Sequence, residues 1–263
     1  AVLSNDYDVY YDIHYQKDEY GFRGRRKKVS EIDIVTVGGS TTDEKFLNLK
    51  ETWSEQLEKK LNKQYQNIDV VNAGIDGQST HGHIWSLKNW FAKIKNFRTK
   101  YIIFYIGINE NLEEKPSNTF DLENENLSFK NKIKFFIQRN NGFLYKTYNT
   151  LAKRYYNLNM NQGYEPLWPK YSQIQNKFIP TEKHKKNLKN NLFKIIELTK
   201  NLNATPIFVT QKTQFWKEIN DEILQANNLS YGNKDYYFEK FVSHTILSFC
   251  EENPERVVVV YAN

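Results

Sequence analysis

The feature that most constrains this chain is a β-branched apolar run that ends in two glycines and a serine. Residues 32–42 read IDIVTVGGSTT. An apolar run of this length that stops at glycine is typical of a buried strand. The Gly38-Gly39 pair permits a sharp turn, which leaves Ser40 exposed at the carboxyl end of the strand. Open α/β sheets bind their ligands at that end, so Ser40 is a candidate nucleophile.

Two later segments repeat the pattern of an apolar run followed by small polar residues. Residues 70–80 read VVNAGIDGQST, and residues 101–110 read YIIFYIGINE. Apolar residues recur at helical spacing over residues 51–64 and 80–97. The alternation of strands with amphipathic helices predicts a parallel sheet that is covered by helices on both faces.

The alternation lapses near residue 111 and resumes after residue 180. The resumed pattern predicts a helix over 181–201, a strand over 205–210, a helix over 234–251 and a last strand over 256–261. Pro180-Thr181, with Glu182 close behind, indicates where the first of these helices starts.

A chain of 263 residues is long enough for one large α/β domain with a substantial core. We therefore predict a single domain over residues 1–263, an α/β/α sandwich with a mainly parallel sheet of about five strands. Residues 1–30 are expected to form an extended lead-in. Residues 111–180 are expected to form a helical insertion that contains no strand of the central sheet.

The insertion has an unusual composition. From residue 126 to residue 164 it contains no Asp or Glu, while lysine and arginine interleave with phenylalanine and tyrosine. Asn140-Asn141-Gly142 favours a break into a helical hairpin. Three interpretations stand: solvated helices that pack their aromatics on the domain, a lid or substrate platform beside Ser40, and contact with an anionic polymer or membrane surface. Aromatic faces stack on sugars and bases alike, so the segment does not choose between glycans and nucleic acid.

The bulk composition excludes several classes of protein. The net charge is +6, but lysine far outnumbers arginine and Asn, Tyr, Phe and Ile are plentiful, so compositional bias explains it without an anionic partner. No run of about 18 apolar residues is present to span a membrane. The single cysteine, Cys250, excludes an internal disulfide and is expected to be a buried apolar thiol. No phosphate-cradling glycine motif follows the first strand.

The three strand-end segments resemble, in order and spacing, the first three conserved blocks of the SGNH (GDSL-type) hydrolase superfamily, and a bacterial GGST-type member in particular. The resemblance covers roughly the first 110 residues. It implies a three-layer SGNH, flavodoxin-like sandwich and a serine-dependent activity. The first block here reads Gly38-Gly39-Ser40, where the commonest form has Asp in the middle.

The resemblance also implies roles for individual residues. Acyl transfer at serine needs an exposed hydroxyl, a base, and donors aimed at the oxyanion. Ser40 matches the family's nucleophile. The backbone N–H groups of Ser40 and Gly77 and the side-chain amide of Asn109 match its oxyanion donors, and Glu110 stands where Asp is usual. The pocket wall is expected to include Gly39, Thr41, His81 and His83.

The base is missing from this pattern. The family places Asp-x-x-His on a loop after the last strand, but none of the five histidines here has Asp three residues before it, and the sequence stops at Asn263. Either the natural chain continues, which we expect, or the base has been lost. The His81-Gly82-His83 pair resembles a metal-binding pair, but no carboxylates or thiols complete a site. We therefore expect no metal and no cofactor.

By resemblance, the chain is expected to be an ester hydrolase or acyltransferase that acts through an acyl-enzyme on Ser40. Its substrate would be an O-acyl ester, with a carbohydrate O-acetyl group as one candidate. The alternative is a non-catalytic SGNH-like binding protein that lacks the base. The expected partner is a small-molecule or glycan ester, and not nucleic acid.

The location is also an expectation from resemblance. The lead-in sequence YGFRG, residues 20–24, resembles bacterial members that are often exported or anchored. We therefore favour the bacterial cell envelope or export over the cytoplasm. Membrane contact would come through an anchor upstream of Ala1, because the first residue is not Met. The sequence carries no pattern that assigns an oligomeric state.

Overall fold

The computed structural model describes residues 13–114, 168–174, 177–213, 216–225 and 234–254, and the backbone of residues 258–260. Within these ranges the strands are β1 (Ile34–Gly38), β2 (Val70–Asn72), β3 (Tyr101–Ile106), β4 (Thr205–Thr210), β5 (Trp216–Ile219), β6 (Glu222–Gln225) and β7 (Val258–Val260). The α-helices are α1 (Ser40–Asp43), α2 (Trp53–Leu61), α3 (Thr80–Asn89), α4 (Glu182–Asn201) and α5 (Tyr236–Glu251). Short 3-10 helices cover Leu49–Glu51, Phe91–Lys93 and Tyr171–Gln173.

The central sheet has five strands in the order β2-β1-β3-β4-β7, and all of its neighbouring strands are parallel. The predicted fold class is confirmed, including the number and direction of the strands. Gly38 at the end of β1 pairs with Tyr105, and Ile106 at the end of β3 pairs with Thr210. The loops that follow these strands therefore leave the same edge of the sheet.

Helices cover both faces of the sheet. The hydroxyls of Thr36 in β1 and Ser54 in α2 lie 3.0 Å apart, which places α2 on one face. The ring of Phe104 in β3 lies 5.9 Å from that of His83 in α3, on the opposite face. This division follows from right-handed crossovers, because the connection from β1 to β2 runs in the opposite direction along the sheet to the later ones.

The core lies mainly between the sheet and helices α3, α4 and α5. It is apolar and fully buried, and it includes Val35, Val37, Phe104, Leu192, Ile195, Phe208, Ile246 and Phe249. Cys250 is buried beside these residues as a free thiol, in agreement with its predicted role. Burial raises the pKa of this thiol to about 11, so it stays protonated at neutral pH.

The helix starts follow local capping chemistry. The Thr181 side chain accepts a hydrogen bond from the N–H of His184 at the start of α4, as the Pro180-Thr181 pattern predicted. Asp235 accepts from the N–H of Phe238 at the start of α5 in the same way. Such caps satisfy backbone donors that have no partner inside the helix.

The prediction of a helix over residues 80–97 was wrong for the second half of that range. It ends at Asn89, and the chain then turns through the 3-10 helix Phe91–Lys93. The reason is tertiary, because Trp90, Phe91 and Phe97 pack around the buried ring of Phe22 from the lead-in. A continuous helix would not bring Phe97 back to the same ring as Trp90 and Phe91.

The antiparallel hairpin of β5 and β6 was not predicted from the sequence. Its two-residue turn, Asn220-Asp221, has φ values of 50° and 61°. Turns of this kind need positive φ at both central residues, and Asn and Asp tolerate that region better than most residues. The Asn-Asp pair between two short alternating segments was therefore the available signal.

The insertion prediction falls mostly on residues 115–167, which lie outside the described residues. The part that is described, from residue 168 onwards, packs on the hairpin and on α5. Lys170 forms an antiparallel bridge with Leu224, and the Tyr171 hydroxyl donates to Asp235 over 2.5 Å. Within the described ranges, no helix combines the length and hydropathy needed to cross a membrane.

Candidate active site

Three loops meet around Gly39, at the carboxyl edge of the sheet. A Cβ atom placed on Gly39 would lie 2.0 Å from Nδ2 of Asn109 and 3.5 Å from the carbonyl oxygen of Gln78. Ser40 and Gly77 are the chain neighbours of Gly39 and Gln78. The structure thus brings the loops of the predicted nucleophile and of the two predicted donors together at one point.

Gly39 leaves the space that the Asn109 amide occupies. Any side chain at this position would overlap Nδ2 of Asn109, because a 2.0 Å separation is far below van der Waals contact. The commonest form of the resembled family has Asp here. In this chain, the Asn109 amide can therefore occupy its observed position only because residue 39 has no side chain.

Ser40 is exposed and is the first residue of α1. Its carbonyl oxygen accepts a hydrogen bond from the N–H of Glu44 over 2.8 Å, which holds the short helical turn. Among the described residues, no hydrogen bond involves its hydroxyl. The hydroxyl is therefore accessible, as a nucleophile requires, and no side chain of the described residues is hydrogen-bonded to it as a general base.

The loop that carries Gly77 is fixed at both ends. Gly77 has a φ of +78°, a conformation that glycine adopts at low energy. The N–H of Ile75 donates to Gly38 over 3.0 Å, which ties the loop to the end of β1. On the other side, the buried Gln78 amide donates to the Ser86 hydroxyl of α3 over 3.2 Å. Both anchors orient the backbone between them.

Gln211, which the sequence analysis did not single out, links two of these loops. Its Oε1 accepts from the N–H of Ile108 over 3.0 Å, and its Nε2 donates to the Thr41 hydroxyl over 3.3 Å. Gln211 is buried and follows β4 directly. A polar residue just past the end of a parallel strand was the signal that could have identified it. Gln211 therefore braces the Asn109 loop against the segment that carries Ser40.

Glu110 holds the third loop to α3. Its carboxylate is only 2% exposed and accepts from the Thr80 N–H over 3.1 Å and from the Thr80 hydroxyl over 2.5 Å. The Asn191 amide of α4 donates to the same hydroxyl over 3.0 Å. Glu110 thus caps the start of α3 and connects the Asn109 loop to the Gly77 loop, which ends there.

All five histidines of the chain lie within the described residues, and none is hydrogen-bonded to Ser40. His81 Nε2 lies 3.0 Å from the carbonyl oxygen of Glu113 and 3.3 Å from Nδ2 of Asn191, towards α4. His184 stacks on Phe178. The two remaining histidines are His14 in the lead-in and His244 on α5, and both are exposed.

His83 lies in the core and not on the wall of an open pocket. Its ring is 1% exposed, and neither ring nitrogen has a hydrogen-bond partner among the described residues. Burial lowers the pKa of His83 to about 3, so the ring is neutral in the folded protein at any pH near neutrality. His83 therefore does not line the site at Gly39. Thr41 contacts Gln211 there, and Gly39 lies against Asn109.

The buried His83 predicts an acid-sensitive fold. The unfolded chain binds a proton at His83 below about pH 6.5, whereas the folded chain does not until about pH 3. The contribution of neutral His83 to the free energy of unfolding is therefore fully present above pH 6.5 and is lost as the pH falls towards 3. At about pH 5 this group alone should lower the unfolding free energy by about 2 kcal/mol.

Urea unfolding of the wild type and His83→Leu at about pH 7.5 and about pH 5 measures this effect. The wild type should lose about 2 kcal/mol more than the variant between the two conditions. His244→Leu, which changes an exposed histidine on α5, is the control and should behave as the wild type. Equal losses in the wild type and His83→Leu would show that His83 does not titrate as described.

Within the described ranges, no group of three or more His, Cys, Asp or Glu side chains is arranged to hold a metal ion. The rings of His81 and His83 in particular contact different residues. The ring of His81 meets Glu113 and Asn191, while that of His83 meets Phe104. Beside Gly39, the described residues bring together the Ser40 hydroxyl, the Asn109 amide and the main chain of Gln78.

The first third of the chain matches a family model. Residues 3–89 match the model described as a domain of unknown function (DUF6473). This stretch includes the lead-in, the segment of Ser40 and the loop of Gly77. No curated protein matches the chain significantly.

Solved structures similar to this chain include several esterases. A member of the lipolytic G-D-S-L family from Veillonella parvula is 14% identical with a TM-score of 0.41, over 88% of this chain and 77% of its own. The esterase EstA from Pseudoalteromonas sp. is 11% identical with a TM-score of 0.43, over 88% and 78%. A variant of an acetyl xylan esterase from Geobacillus stearothermophilus is 15% identical with a TM-score of 0.43, over 89% and 76%. Similarity at this level does not determine the activity of this chain.

Proposed function

We propose that this chain provides the nucleophile and the oxyanion donors of an SGNH-type ester hydrolase or acyltransferase. One observation carries the proposal: the Asn109 amide nitrogen and the carbonyl group of Gln78, the residue after Gly77, both lie beside Gly39, next to the exposed Ser40. An amide donor beside an exposed hydroxyl, with the loop of Gly77 next to both, is an arrangement that acyl transfer can use.

In the proposed mechanism, Ser40 Oγ attacks the carbonyl carbon of an O-acyl ester and forms an acyl-enzyme as the alcohol leaves. The N–H groups of Ser40 and Gly77 and the Asn109 amide stabilise the negative charge that develops on the carbonyl oxygen. Removing one such donor from a serine hydrolase costs about 100-fold to 1000-fold in turnover. Water or a second alcohol then accepts the acyl group, which decides between hydrolysis and transfer.

The proton of Ser40 needs a base, and none of the five histidines is hydrogen-bonded to Ser40. A hydroxyl without a base is a weak nucleophile near neutral pH. In this proposal, an imidazole takes that proton, the role that the Asp-x-x-His loop has in the resembled family. Substrates are O-acyl esters, including carbohydrate O-acetyl groups, and the bacterial cell envelope is the proposed location.

The same lack of a histidine at Ser40 favours one alternative function. A protein that keeps the donors but has no base would bind an ester or a glycan without turning it over. The two functions differ in one respect that can be measured: only the first contains a serine that becomes acylated when a base is present.

Added imidazole tests the proposal directly. Hydrolysis of p-nitrophenyl acetate by residues 1–263 should increase with imidazole concentration above the rate that imidazole alone produces. Ser40→Ala, measured at each imidazole concentration, is the matched control because imidazole itself attacks this ester. Mass spectrometry of the quenched reaction should find an acetyl group on Ser40.

The outcomes separate the two functions. A rate that rises with imidazole in the wild type and not in Ser40→Ala supports the esterase proposal. Equal rates for the two proteins, with no acetyl group on Ser40, would refute it for this chain. In that case, binding of acetylated and deacetylated xylan oligosaccharides to both proteins would test the binding alternative.

A further inference from the structure

Arg23 is a buried cation that the proposed mechanism does not use. It belongs to the lead-in, and its side chain is only 2% exposed. Among the described residues, no carboxylate lies within ion-pair distance of its guanidinium. Burying a charge without a counter-ion is costly, so its hydrogen bonds must offset the lost hydration.

The guanidinium of Arg23 is bound by main-chain carbonyl groups of the segment that follows Ser40. Its Nη1 donates to Asp43 over 3.1 Å and to Glu44 over 3.0 Å, and its Nη2 donates to Leu47 over 2.5 Å. These carbonyls lie at the end of α1, where Glu44 has a φ of +46° and the helix stops. Three carbonyl groups, one at the last residue of α1 and two after it, thus converge on one planar cation.

The lead-in also fixes Asp43 through its side chain. The Tyr15 hydroxyl donates to Oδ1 of Asp43 over 2.6 Å, and Lys17 Nζ lies 3.2 Å from the same oxygen. The ring of Tyr15 lies 5.0 Å from the Arg23 guanidinium, within cation–π distance. Lys17 also donates to the carbonyl of Gly74 over 2.8 Å. These groups connect α1 to the chain that follows β2.

The main chain of Arg23 is bonded to β2. Its N–H donates to the carbonyl of Asn72 and its carbonyl accepts from the Asn72 N–H, each over 2.9 Å. The Asn72 amide in turn donates to the carbonyl of Thr42, and its Oδ1 accepts from Gly74 over 2.8 Å. Arg23 is therefore tied at once to the segment after Ser40 and to the strand that leads to Gly77.

We propose that Arg23 is a positioning residue for the Ser40 site, an inference that rests on the proposed function for its catalytic consequence. Its guanidinium fixes residues 43–47, and its main chain fixes β2. Together these bonds set where the nucleophile lies relative to the donor loop of Gly77. Arg23 acts through main-chain groups of its neighbours and has no part in the bond-making steps.

The geometry needs arginine and not simply a positive charge. A guanidinium presents its donors in a planar fork and can serve several carbonyls at once. A lysine ammonium is a compact point charge with three donors on a flexible stem, and it cannot match the same three acceptors in one plane. Arg23→Lys should therefore keep the charge and lose the positioning.

Hydrogen exchange and kinetics on the 263-residue chain test the inference together. Backbone amides of residues 39–47 should exchange about tenfold faster in Arg23→Lys and Arg23→Met than in the wild type, while β3 and β4 stay protected. In the imidazole-assisted assay, kcat should fall on the order of 100-fold and KM should change little, because the nucleophile is misplaced.

Arg26→Met is the matched control. Arg26 lies in the same segment and is bonded to Glu55 and Glu58 of α2, with no bond to residues 43–47. It should leave exchange in residues 39–47 as in the wild type. If Arg23→Met does not fold, Arg23→Lys decides the test, because it keeps the charge and the aliphatic stem.

Two results would overturn the inference. One is faster exchange throughout the sheet in the Arg23 variants, which would give Arg23 a general role in stability. The other is wild-type exchange and kcat in Arg23→Lys, which would show that the charge suffices. If the wild type has no Ser40-dependent turnover, the proposed function fails, while the exchange measurement still decides whether Arg23 positions the segment.

Discussion

Without an added base, residues 1–263 are expected to hydrolyse p-nitrophenyl acetate no faster than their Ser40→Ala variant. All five histidines lie within the described residues, and none is hydrogen-bonded to Ser40. An encoded chain that continues into Asp-x-x-His should be faster by a factor on the order of 10⁴ to 10⁶, because loss of the base has effects of that size in serine hydrolases. Initial rates for the three proteins at one concentration measure this difference.

The controls identify any substitute base. Ser40-dependent turnover by residues 1–263 alone would contradict the prediction. If changing His81, His83 or His244 then abolished that turnover, the affected residue would be the base. An encoded chain that ends at Asn263 and is inactive would favour the binding alternative.

The second large effect is expected from a single methyl group at position 39. Gly39→Ala should lower imidazole-assisted, Ser40-dependent turnover about 100-fold or more, as loss of one oxyanion donor does. The added Cβ would overlap Nδ2 of Asn109, the far end of a side chain that can rotate away. The backbone of residue 39 has a φ of −82°, which alanine adopts without strain.

Stability should be nearly unchanged by this substitution. Because only the Asn109 side chain has to move, we expect the unfolding free energy of Gly39→Ala to stay within about 1 kcal/mol of the wild type. Urea unfolding beside the kinetic assay separates a displaced donor from a damaged fold. Gly39→Asp, which installs the commonest residue of the resembled family, should also reduce turnover.

A double-mutant cycle with Asn109→Ala gives the sharpest check. The alanine at position 109 removes both the donor and the overlap, so adding Gly39→Ala should cause no further loss. Additive losses would mean that Gly39 acts on the site by another route. Full turnover in Gly39→Ala would mean that the Asn109 amide is not a donor in the reaction.

The sequence alone determined where the main strands lie and that they run parallel. Runs of Val, Ile and Phe that end in small polar residues predict buried parallel strands, and the strand predicted over 205–210 was located to the residue. The same runs indicated Ser40, because the position of a residue after a strand decides which edge of the sheet it reaches. These are local periodicities, and they do not depend on what packs against them.

Long-range contacts decided the details that sequence reasoning got wrong or did not address. The helix over 80–97 stops at Asn89 because three aromatic residues gather around Phe22, about 70 residues earlier in the chain. His83 sits at a spacing that fits either the pocket or the core, and only its packing on Phe104 places it in the core. Helical periodicity gives the face of a residue but not what that face meets.

The candidate site divides in the same way. Ser40 was identified from its position after a strand, and Gly77 and Asn109 were identified because their segments resemble the second and third blocks of the family. Gln211 and Arg23 hold these loops through bonds to groups 170 and about 20 residues away. The sequence therefore determined which residues lie at the carboxyl ends of the strands, because the positions and the parallel direction of the strands follow from local patterns. Only the tertiary structure decided which side chains hold those residues in register, because that depends on contacts between segments far apart in the chain.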